Sequence, residues 1–204
     1  MKLRISIVIA VVLLTALVCA AQTPTPVAPA YSKFELSVGY DRSWNNITFN
    51  DLAASNLKRT FLSGLNGADI GATYNFNKTL GLKADFSFST QSGNLNTSGK
   101  NYLLAFGPVI KKHGGRFNPF GELLVGATHQ TQQGFGFNFT TGQSALAAIA
   151  GGGLDLKATP HLSVRLGEFD YVWTALHADH PTDFLVVSSR QNNFRYVGGI
   201  VFTF

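Results

Sequence analysis

From Lys33 onward the chain alternates apolar and polar residues with a period of two. Phe34, Leu36, Val38 and Tyr40 share one parity, and Lys33, Glu35, Ser37, Gly39 and Asp41 the other. Successive side chains of a strand point to opposite faces, so this pattern predicts a strand with one apolar and one polar face. Seven further stretches follow. The second has Ala68, Ile70, Ala72, Tyr74 and Phe76 as its apolar set, and the third Leu80, Leu82, Ala84, Phe86 and Phe88. The fourth, about 101–110, carries Tyr102, Leu104, Phe106 and Ile110, and the fifth, 120–128, carries Leu123, Val125 and Ala127. The sixth, 145–157, carries Leu146, Ala148, Leu154 and Leu156. The seventh starts at Leu162, and the last carries Phe194, Tyr196, Ile200, Phe202 and Phe204. No helical period appears after residue 21, and no internal repeat of solenoid length.

Alternation alone does not separate a membrane barrel from a soluble sandwich, since both need one apolar face. Connection lengths do. Short joins at 77–79, 111–118 and 158–161 alternate with longer ones at 42–64, 90–100, 129–144 and 175–191, which are rich in Asn, Gln, Ser, Thr and Gly. A barrel with one rim in the periplasm and the other outside has this asymmetry. Tyr40, Trp44, Tyr74, Phe76, Tyr102, Tyr171, Trp173 and Phe204 sit near strand ends, as interfacial girdles require. The expected fold is all-β, an eight-stranded antiparallel up-and-down transmembrane β-barrel. Its continuous apolar belt would fold only with detergent or lipid.

Before the strands lie Met1-Lys2-Leu3-Arg4, an apolar run from Ile5 to Val18, and Cys19-Ala20-Ala21-Gln22. A basic start, an apolar core and a small-residue exit predict a secretory signal peptide, cleaved after Ala20 or Ala21. The run falls short of the ~18 residues of a spanning helix. Cys19 raises the alternative of a lipoprotein, against which stands the bulky Val18 before it. The expected division is a signal peptide over 1–21, a Pro-rich periplasmic tether over 22–31 and the barrel over 32–204. The mature chain then has no cysteine, which excludes disulfide and thiol chemistry. Without Lys2 and Arg4 the 16 basic residues become 14 against 11 acids, a mild +3. With no basic cluster among aromatics, nucleic-acid binding has no support. The 21 glycines and 17 phenylalanines suit curved sheets with aromatic interfaces.

The C-terminal strand resembles the insertion signal of outer-membrane β-barrels through Gly199, Phe202 and Phe204, and departs from it at Val197. Residues 31–204 as a whole resemble the small eight-stranded outer-membrane barrel family, of which the transmembrane domain of outer-membrane protein A is the familiar member. The carriers are Gly151-Gly152-Gly153-Leu154-Asp155, the stretch from Pro160 to Arg165, Asp170-Tyr171 and the strand from Arg195 to Phe204. The resemblance implies a Gram-negative outer membrane, contact with its lipids and lipopolysaccharide, and insertion by the barrel assembly machinery. It implies a monomer with no cofactor and no chemistry. No peptidoglycan-binding domain is expected after the barrel.

Polar parity points Glu35, Asp69, Lys83, Asp85, Glu122, Asp155, Lys157, Arg165, Asp170 and Arg195 into the lumen. Arg165 and Asp170 have opposite parity, so a bulge near Gly167-Glu168 is needed to turn both inward. An eight-stranded barrel is only wide enough for its own side chains, so these charges are expected to form a salt-bridge plug with Arg165 as hub. Arg195 is expected near the extracellular rim, within reach of solvent. An ion gate and a paired-carboxylate active site are the alternatives. His161-Leu162-Ser163 resembles the His-x-Ser of lipid-A-deacylating barrels but falls at a periplasmic turn. For an outer-leaflet enzyme only His129, His177 and His180 are placed suitably. His177 and His180 with Asp179 and Asp183 are the candidate metal set, more simply read as solvated loop residues. Gly151-Gly152-Gly153 lacks the helix or Lys of a phosphate cradle and is read as a close strand approach or room for a large inward neighbour. The run from Gly134 to Phe139 is read as a hairpin beyond the membrane or a sticky partner patch. The expected function is therefore a non-enzymatic barrel that displays surface loops, with a narrow channel as the alternative.

Overall fold

The computed structural model describes residues 31–51, 57–92, 98–133, 140–175, 186–187 and 191–204, and its regular elements are all strands. The wall consists of β1 (Phe34–Asp51), β2 (Leu57–Asn75), β3 (Leu80–Ser92), β4 (Ser98–Lys111), β5 (Phe117–Gln133), β6 (Thr140–Thr159), β7 (Leu162–Ala175) and β9 (Gln191–Thr203). The two-residue β8 (Val186–Val187) only extends the far end of β1, opposite Phe49 and Asn50. Wall strands pair antiparallel with their neighbours, and β1 closes the sheet by pairing with both β2 and β9. The result is the closed eight-stranded barrel that the alternation predicts. Closure satisfies every ladder, and a bilayer offers no water to an open edge.

The apolar parity faces outward, with Leu156 at the foot of β6 an exception that is buried. Leu104, Phe106, Leu123 and Leu146 are 59–71 % exposed, an arrangement that only lipid makes favourable. Aromatics gather in two rings. At the end carrying the short turns, Phe34 lies 6.1 Å from Phe204 and Tyr74 lies 5.5 Å from Phe76. At the other, Phe88 meets Tyr102 at 4.9 Å and Tyr171 meets Phe194 at 5.8 Å. From Phe34 to Trp44 the strand covers roughly 33 Å, which at ~40° tilt is about 25 Å of depth, the height of an apolar band.

The strands run further than alternation shows. The ladders continue to Asp51↔Leu57, Ser92↔Ser98 and Gln133↔Thr140, so most of the expected loops at 42–64, 90–100 and 129–144 are hairpin arms. Along these arms the sequence no longer keeps the apolar parity that marks the spanning part. Residues 1–30, the run from Gly134 to Phe139, and His177, Asp179, His180 and Asp183 lie outside the described residues.

Candidate functional site: a charged lumen

Polar parity is inward parity. Every Asp and Glu whose side chain is described lies in the lumen: Glu35, Asp41, Asp69, Asp85, Glu122, Asp155, Glu168 and Asp170, each 4 % exposed or less. Four cations accompany them: Lys83, Lys111, Arg165 and Arg195. Strand β7 contributes most densely because of a bulge. Arg165 pairs with Gly199 while Glu168 pairs with Val197, and on the other side Asp155 pairs with Arg165 while Leu154 pairs with Gly167. The extra residue, Leu166, faces outward, so Arg165, Glu168 and Asp170 all turn inward. The bulge expected at Gly167-Glu168 is present.

The charges form one continuous chain of alternating sign. Lys111 Nζ donates to Glu35 Oε2 at 2.5 Å and Asp155 Oδ2 at 2.8 Å. Asp155 is shared with Arg165, whose Nε donates to Oδ1 at 2.9 Å. Arg165 also donates to Glu168, and Lys83 Nζ reaches Glu168 and Glu122, both at 2.9 Å. Arg195 then gathers Asp85 at 2.7 Å, Asp170 at 2.8 Å, Asp69 at 3.2 Å and Glu168 at 3.4 Å. Each cation bridges at least two carboxylates, which is what offsets the cost of taking ions out of water.

Three expectations need correction. Arg165 is not the hub: it holds Asp155 and Glu168, while Glu122 and Asp85 are held by Lys83 and Arg195. Arg195 is not screened by solvent: it is 2 % exposed and makes four ion pairs, because barrel tilt carries it to the level of Asp69 on β2 and Asp85 on β3. Lys157 makes no ion pair among the described residues and is half-buried, opposite Ser163 at the foot of β6. Lys111, Glu168 and Asp41 join without having been expected as members. Glu168 shares parity with Asp170, and Lys111 with Val109 and Ala105, so the pattern contained both. His113 reaches back from its turn to Glu35, its Nε2 2.9 Å from Oε1, and no parity rule covers that contact.

Carboxylates outnumber permanent cations two to one, and the surplus lies around Arg195. Asp41 Oδ2, Asp69 Oδ1 and Asp170 Oδ1 have no hydrogen-bond donor, and the Asp85 oxygens are met only as ion pairs, Oδ2 by Arg195 at 2.7 Å and Oδ1 by Lys83 at 3.6 Å. Asp41 is served through Oδ1 by Ser43 Oγ at 2.7 Å. Beyond Arg195 the lining becomes neutral, with Ser43, Ser87, Asn101, Thr128, Gln130 and Thr174 around a cavity of about 10 Å³, room for about one water. Beside the charges, Leu103, Ala105, Leu124, Ala147, Ile149 and Val172 form a buried apolar cluster. Below them the Phe120 ring lies 4.5 Å from the Arg165 guanidinium carbon, at cation–π range. Glu122, Glu168 and Asp170 offer oxygens within 4.8 Å of one another, the spacing of a metal site. Lys83 and Arg195 already stand among them as counter-charges.

The glycine run of β6 makes room for this packing. A Cβ on Gly151 would lie 1.8 Å from Asp170 Oδ1, and one on Gly153 would lie 2.8 Å from the Phe120 ring. The large inward neighbour accounts for Gly151, and close strand approach for the rest: a Cβ on Gly152 would lie 2.4 Å from the Phe120 carbonyl oxygen and one on Gly153 2.3 Å from that of Gly167. At the seam, a Cβ on Gly199 would lie 2.2 Å from the Val38 carbonyl oxygen, so glycine lets β9 close on β1. Phe202 and Phe204 face outward at 40 % and 69 % exposure, and Val197 faces the lumen at 1 %. His161 and Ser163 do not converge: His161 is exposed in a turn with Nδ1 3.2 Å from the Thr203 carbonyl, and Ser163 points into the lumen. His129 is exposed, with Nδ1 2.8 Å from Ser144 Oγ.

Residues 10–193 match the outer membrane protein beta-barrel domain family. The chain belongs to that family. Its barrel is therefore an outer-membrane barrel, with the short turns and the foot of β9 on the periplasmic side. Neisserial surface protein A is a similar fold, with a TM-score of 0.59 and 12 % identity over 85 % of this chain and 98 % of that one. OprG from Pseudomonas aeruginosa gives 0.56 and 15 % over 87 % and 98 %. Ail of Yersinia pestis, in complex with the heparin analogue sucrose octasulfate, gives 0.52 and 16 % over 83 % and 99 %. Identities this low speak for the fold alone. No curated protein matches the chain by sequence.

Proposed function

We propose that this outer-membrane barrel is a non-enzymatic scaffold with a plugged lumen, contributing to envelope structure and holding its extracellular hairpins out for surface interaction. The observation that carries this reading is the unbroken chain from Glu35 through Lys111, Asp155 and Arg165 to Glu168, which Lys83 and Arg195 both hold. An ion crossing the barrel would have to part these contacts. The chain is exported by cleavage of 1–21, keeps 22–31 as a periplasmic tether, and works as a monomer among outer-membrane lipids and lipopolysaccharide. Refolded protein in a planar bilayer should pass no steady current. Ohmic conductance in every insertion would overturn the plug and leave the narrow channel. The channel reading is favoured by the carboxylate surplus around Arg195 and would be cation-selective.

Assembly through the barrel assembly machinery uses Gly199, Phe202 and Phe204. The Phe204 ring is mostly exposed, its tightest ring contact being Phe34 at 6.1 Å, so burial there contributes only about 1 kcal/mol. Deleting Phe204 should sharply lower the outer-membrane yield in cells and leave the melting of detergent-refolded protein within about 1 kcal/mol of the parent. Equal losses in both settings would make the residue merely structural.

A further inference from the structure

The acids whose side chains are described all lie inside the barrel, so the exposed charge of the described wall is positive. At the periplasmic end this asymmetry coincides with a groove. Between the turn after β2 and the β4–β5 hairpin lies an open concavity of about 450 Å³ on the outer surface, lined by Lys78, Thr79, Ile110, Lys112, Pro119 and Gly121. Lys78 and Lys112 are exposed, and neither has a carboxylate partner among the described residues. The floor is apolar: Ile110 is 60 % exposed, and Gly121 leaves the wall open between Pro119 and Leu123. Above Ile110 the groove runs into the lipid-facing belt of Phe106, Leu123 and Val125. The turn is braced, with Lys111 N donating to Thr79 O at 2.8 Å, Lys112 N to Pro119 O at 3.0 Å, and His113 Nδ1 lying 2.9 Å from Lys78 O.

We propose that this groove binds the headgroup of an anionic glycerophospholipid in the periplasmic leaflet. Two ammonium groups at the interface more than neutralise the single negative charge of one phosphodiester, so the site favours a lipid of net negative charge. The apolar floor continuous with the belt selects an amphiphile over a free anion, because acyl chains follow Ile110 and Leu123 into the membrane. A zwitterionic lipid would place its own cation beside the lysines and lose the advantage.

The test is native mass spectrometry of the refolded full chain released from micelles containing equal phosphatidylglycerol and phosphatidylcholine. The parent should retain one phosphatidylglycerol in clear preference. Each lysine removed should cost about fivefold in that preference, so Lys78→Ser/Lys112→Ser should abolish it. Lys100→Ser, an exposed lysine on the extracellular arm of β4, should leave it unchanged. Gly121→Leu serves as a second variant. Its Cβ would meet only Gly151 O at 3.7 Å, so it fits the wall, and it should lower retention by filling the floor. The proposal is overturned by a parent without preference, by a double variant that keeps it, or by an equal loss in Lys100→Ser. Displacement of the lipid by millimolar inorganic phosphate, or full retention in Gly121→Leu, overturns it as well.

Discussion

Arg195→Ala is expected to be the most damaging single change in the lumen. Among the described residues its guanidinium is the only cation within ion-pair distance of Asp69 and Asp170, and without it Asp85 keeps only Lys83 at 3.6 Å. Removing one member of a buried pair typically costs about 3–5 kcal/mol, which in a chain of this size is roughly 6–20 °C of melting temperature. The stranded carboxylates relieve the cost by taking up protons or admitting water. Either response opens the plug, and the carboxylate surplus gives any resulting current a preference for potassium over chloride. Melting of the folded gel band and the reversal potential under a salt gradient read the two effects. Arg165→Ala should be milder, because Asp155 keeps Lys111 at 2.8 Å and Glu168 keeps Lys83 and Arg195. A variant Arg195→Ala that melts with the parent and stays silent, or one milder than Arg165→Ala, would refute this ranking.

Lys83→Met should be nearly as costly for a different reason. Among the described residues Lys83 is the only ion-pair partner of Glu122, binding its two oxygens at 2.9 and 3.1 Å, whereas Asp85 and Glu168 keep arginines. Methionine retains most of the side-chain volume, so the loss, again about 3–5 kcal/mol, reports the abandoned carboxylate rather than a cavity. Removing both partners is far cheaper than removing one, so Lys83→Met/Glu122→Gln should recover most of the stability. The interaction energy of that double-mutant cycle is the quantity to measure. Additive losses would mean that Glu122 draws its compensation from elsewhere in the network.

Glu168 makes a useful contrast, since it touches three of the four cations. Yet Lys83, Arg165 and Arg195 each retain another carboxylate, and removing an acid lessens the surplus. Pair geometry makes it the hub, while the charge balance makes Arg195 the critical residue. Sequence reading left Glu168 out of the network and put Arg195 at a solvent-screened rim, because both roles depend on which charges share a level of the barrel.

What the chain determines by itself follows from a local rule. Side chains of a strand alternate, so parity along Phe34 to Asp41 or Leu80 to Ser89 already assigns the lipid face and the lumen face, and with them Glu35, Lys83 and Asp85. Parity also contained Glu168 and Lys111, once the β7 bulge is granted and β4 is carried one residue further. Depth and partnership are not local. Arg195 meets Asp69 from 126 residues away and Lys83 meets Glu168 from 85. Those meetings are set by the stagger and tilt with which eight strands close, which no single strand encodes. The same closure moved Arg195 from an expected solvent-screened rim to the buried centre of the acids, and it brought His113 back from its turn onto Glu35. Alternation decides which way a charge points; only the closed sheet decides what it finds there.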